Sequence, residues 1–103
     1  MKTVSKVYTI SEIARIIAPI AKRHGVMHVW LFGSYARGEA TETSDIDLLI
    51  DGGAIGSMWG LSAFRLDLED ALQKSVDIVT LGIEDQDFLN RIRNDEVSLY
   101  EAA

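Results

Sequence analysis

The sequence predicts a small α/β domain in which helices alternate with short strands. Three observations predict it. An amphipathic helical pattern lies near the N-terminus, two β-favouring apolar runs fall at 26–32 and 45–50, and helix-like and strand-like periods alternate again after them. At 103 residues the chain can fill one hydrophobic core, which predicts a single domain over 1–103.

The first helix announces itself at Thr9-Ile10-Ser11-Glu12, a capping box in which the Thr9 hydroxyl and the Glu12 carboxylate satisfy amides at the helix start. Ile10, Ile13, Ile17, Ile20 and Ala21 then share one face. Pro19 is expected to kink or interrupt this helix. Lys22, Arg23 and His24 suit the negative end of its dipole, and Gly25 reads as the terminator. Val26–Phe32 is the first predicted strand. Gly33-Ser34 turns the chain into a short helical segment that Gly38 ends, and a loop around Glu42–Ser44 follows. The second predicted strand, Asp45–Ile50, stops at the turn Asp51-Gly52-Gly53.

Residues Ala54–Gly60 are glycine-rich and predict a mobile loop. Ser57 is placed to cap a helix carrying Leu61, Phe64, Leu68 and Leu72 on one face and Asp67, Glu69 and Asp70 on the wet side. Ser75–Leu81 is the third predicted strand, with Asp77 among Val76, Ile78 and Val79, and Gly82 ends it. A helix from about Asp85 to Arg93 is expected, with Phe88, Leu89 and Ile92 on its apolar face, and the tail Val97–Tyr100 reads as a docking segment. The predicted order is helix, strand, helix, strand, helix, strand, helix.

Charge and composition narrow the function classes. Sixteen acidic residues against ten basic ones give a net charge of −6, and Lys22-Arg23 is the only adjacent basic pair. Proteins that grip a phosphate backbone carry a basic stripe, so direct nucleic-acid binding, and with it a template-directed polymerase or a tRNA-end-adding enzyme, is not expected. The acidity leaves room for a basic partner. With no cysteine in the chain, a disulfide framework, a thiolate zinc site and a cysteine nucleophile are excluded. Met1–Tyr8 lacks the apolar stretch of a signal peptide and no run approaches a membrane span, so the expected location is cytoplasmic, without a membrane partner.

The chemistry concentrates at Gly33-Ser34 and at Asp45-Ile46-Asp47. On a strand, two aspartates one residue apart point the same way while Ile46, Leu48 and Ile50 point the other. Adjacent carboxylates repel unless a cation lies between them, so the pair asks for a metal. The Gly-Ser turn offers a close-approach backbone and a hydroxyl, which suits a phosphate. Together they describe a site for a metal-bound nucleoside triphosphate. His24, His28 and Trp30 read as structural, whereas Trp59 lies where it could reach a nucleotide or a partner.

Gly33-Ser34, ten intervening residues, Asp45-x-Asp47 and a third acid at Asp77 resemble the signature of the DNA polymerase β-like nucleotidyltransferase superfamily. The nearest branch is the minimal nucleotidyltransferases (MNT), which pair with HEPN-domain proteins. The likeness is strongest from about Val29 to Asp51. It implies a minimal fold with a small mixed sheet packed with helices. It also implies that Asp45, Asp47 and Asp77 hold Mg²⁺, two ions in all, with Asp77 nearer the acceptor hydroxyl. Gly33 and Ser34 would approach the β- or γ-phosphate of ATP. Arg37, one turn on, would neutralise the γ-phosphate, its alternative being a surface ion pair with Glu39 or Glu42.

The resemblance further implies an antitoxin that transfers AMP from Mg-ATP to a hydroxyl, on tyrosine in characterised members, of a HEPN-type RNase toxin encoded by an adjacent gene. Two other readings stay open from sequence. One is a non-catalytic antitoxin acting by binding the HEPN partner. The other is an aminoglycoside-type transferase acting on a small molecule.

Overall fold

Capping decides where the first helix begins. In the computed structural model, which describes residues 6–53, 55–80, 87, 90 and 95–102, the Thr9 hydroxyl accepts from the Glu12 amide at 3.0 Å and the Glu12 carboxylate accepts from the Thr9 amide at 2.9 Å. Helix α1 (Ile10–His24) therefore starts where the capping box places it. It ends at Gly25, whose φ of 74° lets its amide reach back to the carbonyls of Ala21 and Lys22. Thr9→Ala is expected to cost about 1 kcal/mol. Urea unfolding would show this as a lower midpoint at an unchanged slope.

Helix α1 runs unbroken through Pro19, contrary to an interruption there. Ile13, Ile17, Ile20 and Ala21 are buried on both sides of the proline. Their burial holds the helix together against the local loss of one backbone hydrogen bond.

Among the described residues four strands follow: β1 (His28–Phe32), β2 (Ile46–Asp51), β3 (Val76–Thr80) and β4 (Val97–Glu101), in the spatial order β3-β2-β1-β4. The sheet is mixed. β1 is antiparallel to both β2 and β4, whereas β2 and β3 are parallel. The parallel pair is joined through α3 (Met58–Leu72), and the short α2 (Gly33–Arg37) sits between β1 and β2. α1 and α3 pack on one face of the sheet, where Val29, Leu31, Ile46, Leu48 and Ile50 meet Ile13, Ile17, Phe64, Leu68 and Leu72. Strand alternation then sends Asp47, Leu49 and Asp77 to the opposite face. Leu49 gathers Trp30, Phe32 and Val79 into a smaller cluster there.

Other expectations change as well. The segment Val97–Tyr100 is no docking tail but β4, paired with β1, and Leu99 is buried in the core while Val97 and Tyr100 pack against it. β1 begins at His28 rather than Val26, because the Val26 amide is taken by the Ala21 carbonyl as part of the α1 cap. Ser57 caps α3 as expected, accepting from the Gly60 amide, so the helix already starts at Met58 and the preceding loop is shorter than predicted. The helix expected from Asp85 to Arg93, and the strand end at Leu81-Gly82, lie outside the described residues. Among the described residues no helix is long and apolar enough to cross a membrane.

Candidate nucleotide and metal site

The site is assembled where β1 ends and β2 and β3 begin. β1 hands the chain straight to α2 through Gly33, whose φ of +75° puts it in the left-handed region. A Cβ at this position would collide with the Asp47 carboxylate. Only glycine lets the backbone come that close. Tyr35, 3% exposed, anchors α2 in the core, and Gly38 closes the helix with its amide on the Ser34 and Tyr35 carbonyls. Phe32 at the N-cap supplies no side-chain acceptor, so no capping side chain competes for the first amides of α2.

Register does the rest. Asp47 lies opposite Phe32 on one side and Asp77 on the other. The two carboxyls are therefore cross-strand neighbours on the face away from the α1–α3 core. Asp45 stands one residue before β2 and is exposed, so it belongs to the incoming loop rather than to the ladder. Burial pushes the Asp47 carboxyl up to about 6, and the negative charges of Asp77 and Asp45 push in the same direction. A hydrogen bond with Asp77 adds to this, since it needs a proton between the two carboxyls, while the Arg37 charge works weakly the other way.

Among the described residues no group of three or more His, Asp or Glu side chains is gathered tightly enough to hold a metal by itself. The donor set nevertheless fits a divalent cation. Two neighbouring carboxyls, one of them disfavoured as an anion by burial and by the charges beside it, are relieved by a cation between them, and Mg²⁺ completes its shell with water and substrate phosphates.

A pH dependence follows for the metal-free chain. Below an ordinary carboxylate value Asp47 is protonated in both folded and unfolded states, and nothing is lost. Between about pH 4 and 6 the unfolded chain ionises while the folded one keeps its proton. Stability therefore falls as pH rises through that window and levels off above it. Thermal melts of the chelator-treated protein are expected to show this slope, and Asp47→Asn is expected to remove it.

The loop delivering Asp45 is held from outside. The Thr41 amide donates to the Ser44 hydroxyl at 2.8 Å, and the Ser44 amide to the Thr41 carbonyl at 3.1 Å. Lys74, at the turn between α3 and β3, donates from Nζ to the Glu42 carbonyl at 2.8 Å. The Ile46 amide donates to the Ser75 carbonyl at 3.0 Å, and the Val76 amide to a Glu69 carboxylate oxygen at 2.9 Å. Neither Lys74 nor Glu69 was legible as a site residue. A single lysine before a strand carries no spacing signal, and the carbonyl to which it donates lies 32 residues away.

The remaining candidates fall as follows. Arg37 is exposed, with Nε on the Glu39 carboxylate at 2.7 Å and a terminal nitrogen on Asp95 at 3.4 Å, so its surface pairing is with Glu39 and not Glu42. Its charge is nonetheless felt at Asp47. His24 is tied to Asp67 at 2.6 Å and packs against Phe64, and His28 stacks on Trp30 at 3.8 Å and meets the Ser98 hydroxyl at 2.8 Å. Both are structural. Trp30 is half-buried in the small cluster around Leu49. Trp59, 87% exposed, stands in the first turn of α3, past the far end of β2 from Asp47.

The chain has relatives among known proteins. Residues 15–103 match the family model described as polymerase beta, nucleotidyltransferase. A "putative protein adenylyltransferase" of Methanocaldococcus jannaschii is 42% identical over 90 residues, covering 87% of this chain and 97% of that protein. The protein adenylyltransferase MntA of Thermococcus cleftensis is 39% identical over 75 residues, covering 69% and 76%. A solved "putative minimal nucleotidyltransferase" superposes with a TM-score of 0.75 at 30% identity, covering 86% of this chain and 91% of that one. The MNT antitoxin solved with a tri-AMPylated HEPN toxin of Shewanella oneidensis shares the fold, with a TM-score of 0.70 at 18% identity over 90% and 73% of the two chains.

Proposed function

The chain belongs to the polymerase beta nucleotidyltransferase family, and on that premise we propose that it is a protein adenylyltransferase antitoxin. In this reading it transfers AMP from Mg-ATP to a hydroxyl, on tyrosine by the resemblance, of a HEPN-type toxin encoded by a neighbouring gene, and so neutralises it. The observation that carries the reading is the closeness of Gly33 to Asp47, with Asp77 beside it. A phosphate-approach backbone and a pair of acids meet at one point. Relatives named as protein adenylyltransferases and the fold shared with antitoxins from toxin–antitoxin complexes support the choice of acceptor.

Each residue then has a task. The Gly33 backbone and the Ser34 hydroxyl hold β- and γ-phosphate oxygens at the start of α2, which orients the triphosphate. Asp45 and Asp47 would hold Mg²⁺, which when bound neutralises charge building on the α-phosphate and the leaving group. The acceptor oxygen attacks the α-phosphorus, the bond to pyrophosphate breaks, and the hydroxyl proton passes to a carboxylate oxygen of Asp77. Arg37 would exchange its surface contact with Glu39 for the γ-phosphate. An AMP ester adds a bulky negative charge to the toxin, and beside an RNA site this repels the substrate backbone.

The test is label transfer from ATP carrying ³²P at either the α or the γ position. Label reaching the partner protein from the α position alone, with pyrophosphate released, is the expected result. Transfer from the γ position would mean phosphorylation, and no transfer from either would remove the catalytic reading.

A further inference from the structure

Among the described residues Lys74 is the only charged one enclosed by the fold, at 4% exposure. Burying an ammonium is costly unless its protons are well placed, so its partner is informative. Nζ reaches the Glu42 carbonyl, in the turn that directly precedes Asp45. On the other side of Asp45, the Ile46 amide is bonded to Ser75, the residue after Lys74. Two consecutive residues thus grip the chain on both flanks of Asp45. The next two residues are Val76, pinned by Glu69, and Asp77 itself. Asp45 is exposed and outside the ladder, and it joins Asp47 and Asp77 in no preassembled set of three. Its distance from that pair is set by the loop.

We propose that Lys74 is a positioning residue for the metal site. Its ammonium locks the Thr41–Ser44 turn onto the start of β3 and so fixes Asp45 relative to Asp77. This rests on the nucleotidyltransferase reading above. In this role Lys74 acts through the backbone of Glu42. Supporting groups of this kind set metal affinity by roughly 10–100-fold.

The measurement is Mn²⁺ binding in the presence of non-hydrolysable AMP-PNP, followed by electron paramagnetic resonance, with thermal melts alongside. Lys74→Met is expected to weaken Mn²⁺ binding about tenfold, and Lys74→Arg, which keeps the cation, to stay within about threefold of wild type. Ser44→Ala, which loosens the same turn from its half-exposed side, is expected to weaken binding about threefold at an unchanged melting temperature. In the transfer reaction, Lys74→Met should need about tenfold more Mg²⁺ for half-maximal rate yet recover kcat at saturating Mg²⁺. A folded Lys74→Met that binds Mn²⁺ as wild type does overturns the proposal. Should that variant fail to fold, an unchanged affinity in Ser44→Ala overturns it. A wild-type chain with no Mn²⁺ affinity overturns the metal-site reading itself, and this proposal with it.

Discussion

Asp45→Asn combined with Asp47→Asn is expected to abolish AMP transfer while leaving the fold and the complex with the partner intact. Metal-assisted stabilisation of a transferring phosphoryl group contributes several kcal/mol, and about 1.4 kcal/mol is tenfold in rate, so a loss of roughly 10³-fold or more is expected in kcat/KM. The substitution keeps shape and polarity and removes only charge. It also removes a buried charge at Asp47, whose carboxyl is pushed up to about 6 by burial first and by the charges of Asp77 and Asp45 second. The metal-free double variant should therefore melt above metal-free wild type at neutral pH. Gain of stability with loss of activity is a pairing that damage to the fold does not produce. Retained neutralisation of the partner by the inactive variant would instead place the antitoxin effect in binding.

Gly33→Ala is expected to cost about 100-fold in kcat/KM or more. Two penalties coincide at this position: a left-handed φ of +75° and a Cβ driven into the Asp47 carboxylate. A misplacement of about 1 Å among reacting groups is worth about 10²-fold. Gly38 provides the control, because its φ is +74° but nothing lies within 4 Å of a Cβ placed there. Gly38→Ala should lose about 1 kcal/mol of stability from the backbone strain alone and keep its activity. Equal activity losses in the two variants would mean that strain in α2, rather than contact with Asp47, is what matters.

Much of this architecture was legible in the sequence because it is written in local signals. The capping box at Thr9–Glu12, the terminator at Gly25 and the Ser57 cap are contacts between residues at most four apart, and each is found where the sequence places it. The juxtaposition of Gly33 with Asp47 was carried by motif spacing. Long-range pairing was harder to read. Val97–Glu101 looks like a tail until β1 is seen to lack a neighbour on that side. Pro19 reads as a break only while the burial of Ile17 and Ile20 is left out. Asp45 and Asp47 satisfy strand alternation, yet Ile46 rather than Asp45 makes the first tertiary bond, to Ser75. Lys74 is the extreme case, since the Glu42 carbonyl to which it donates lies 32 residues upstream.

The measurement closest to the central claim is intact mass spectrometry of the protein encoded next to this chain. That protein would be incubated with Mg²⁺, ATP and either the wild-type chain or the Asp45→Asn/Asp47→Asn variant. A gain of whole AMP units with the wild type alone, on a hydroxyl side chain, is the expected result. A stable complex whose partner keeps its mass under both conditions would contradict it.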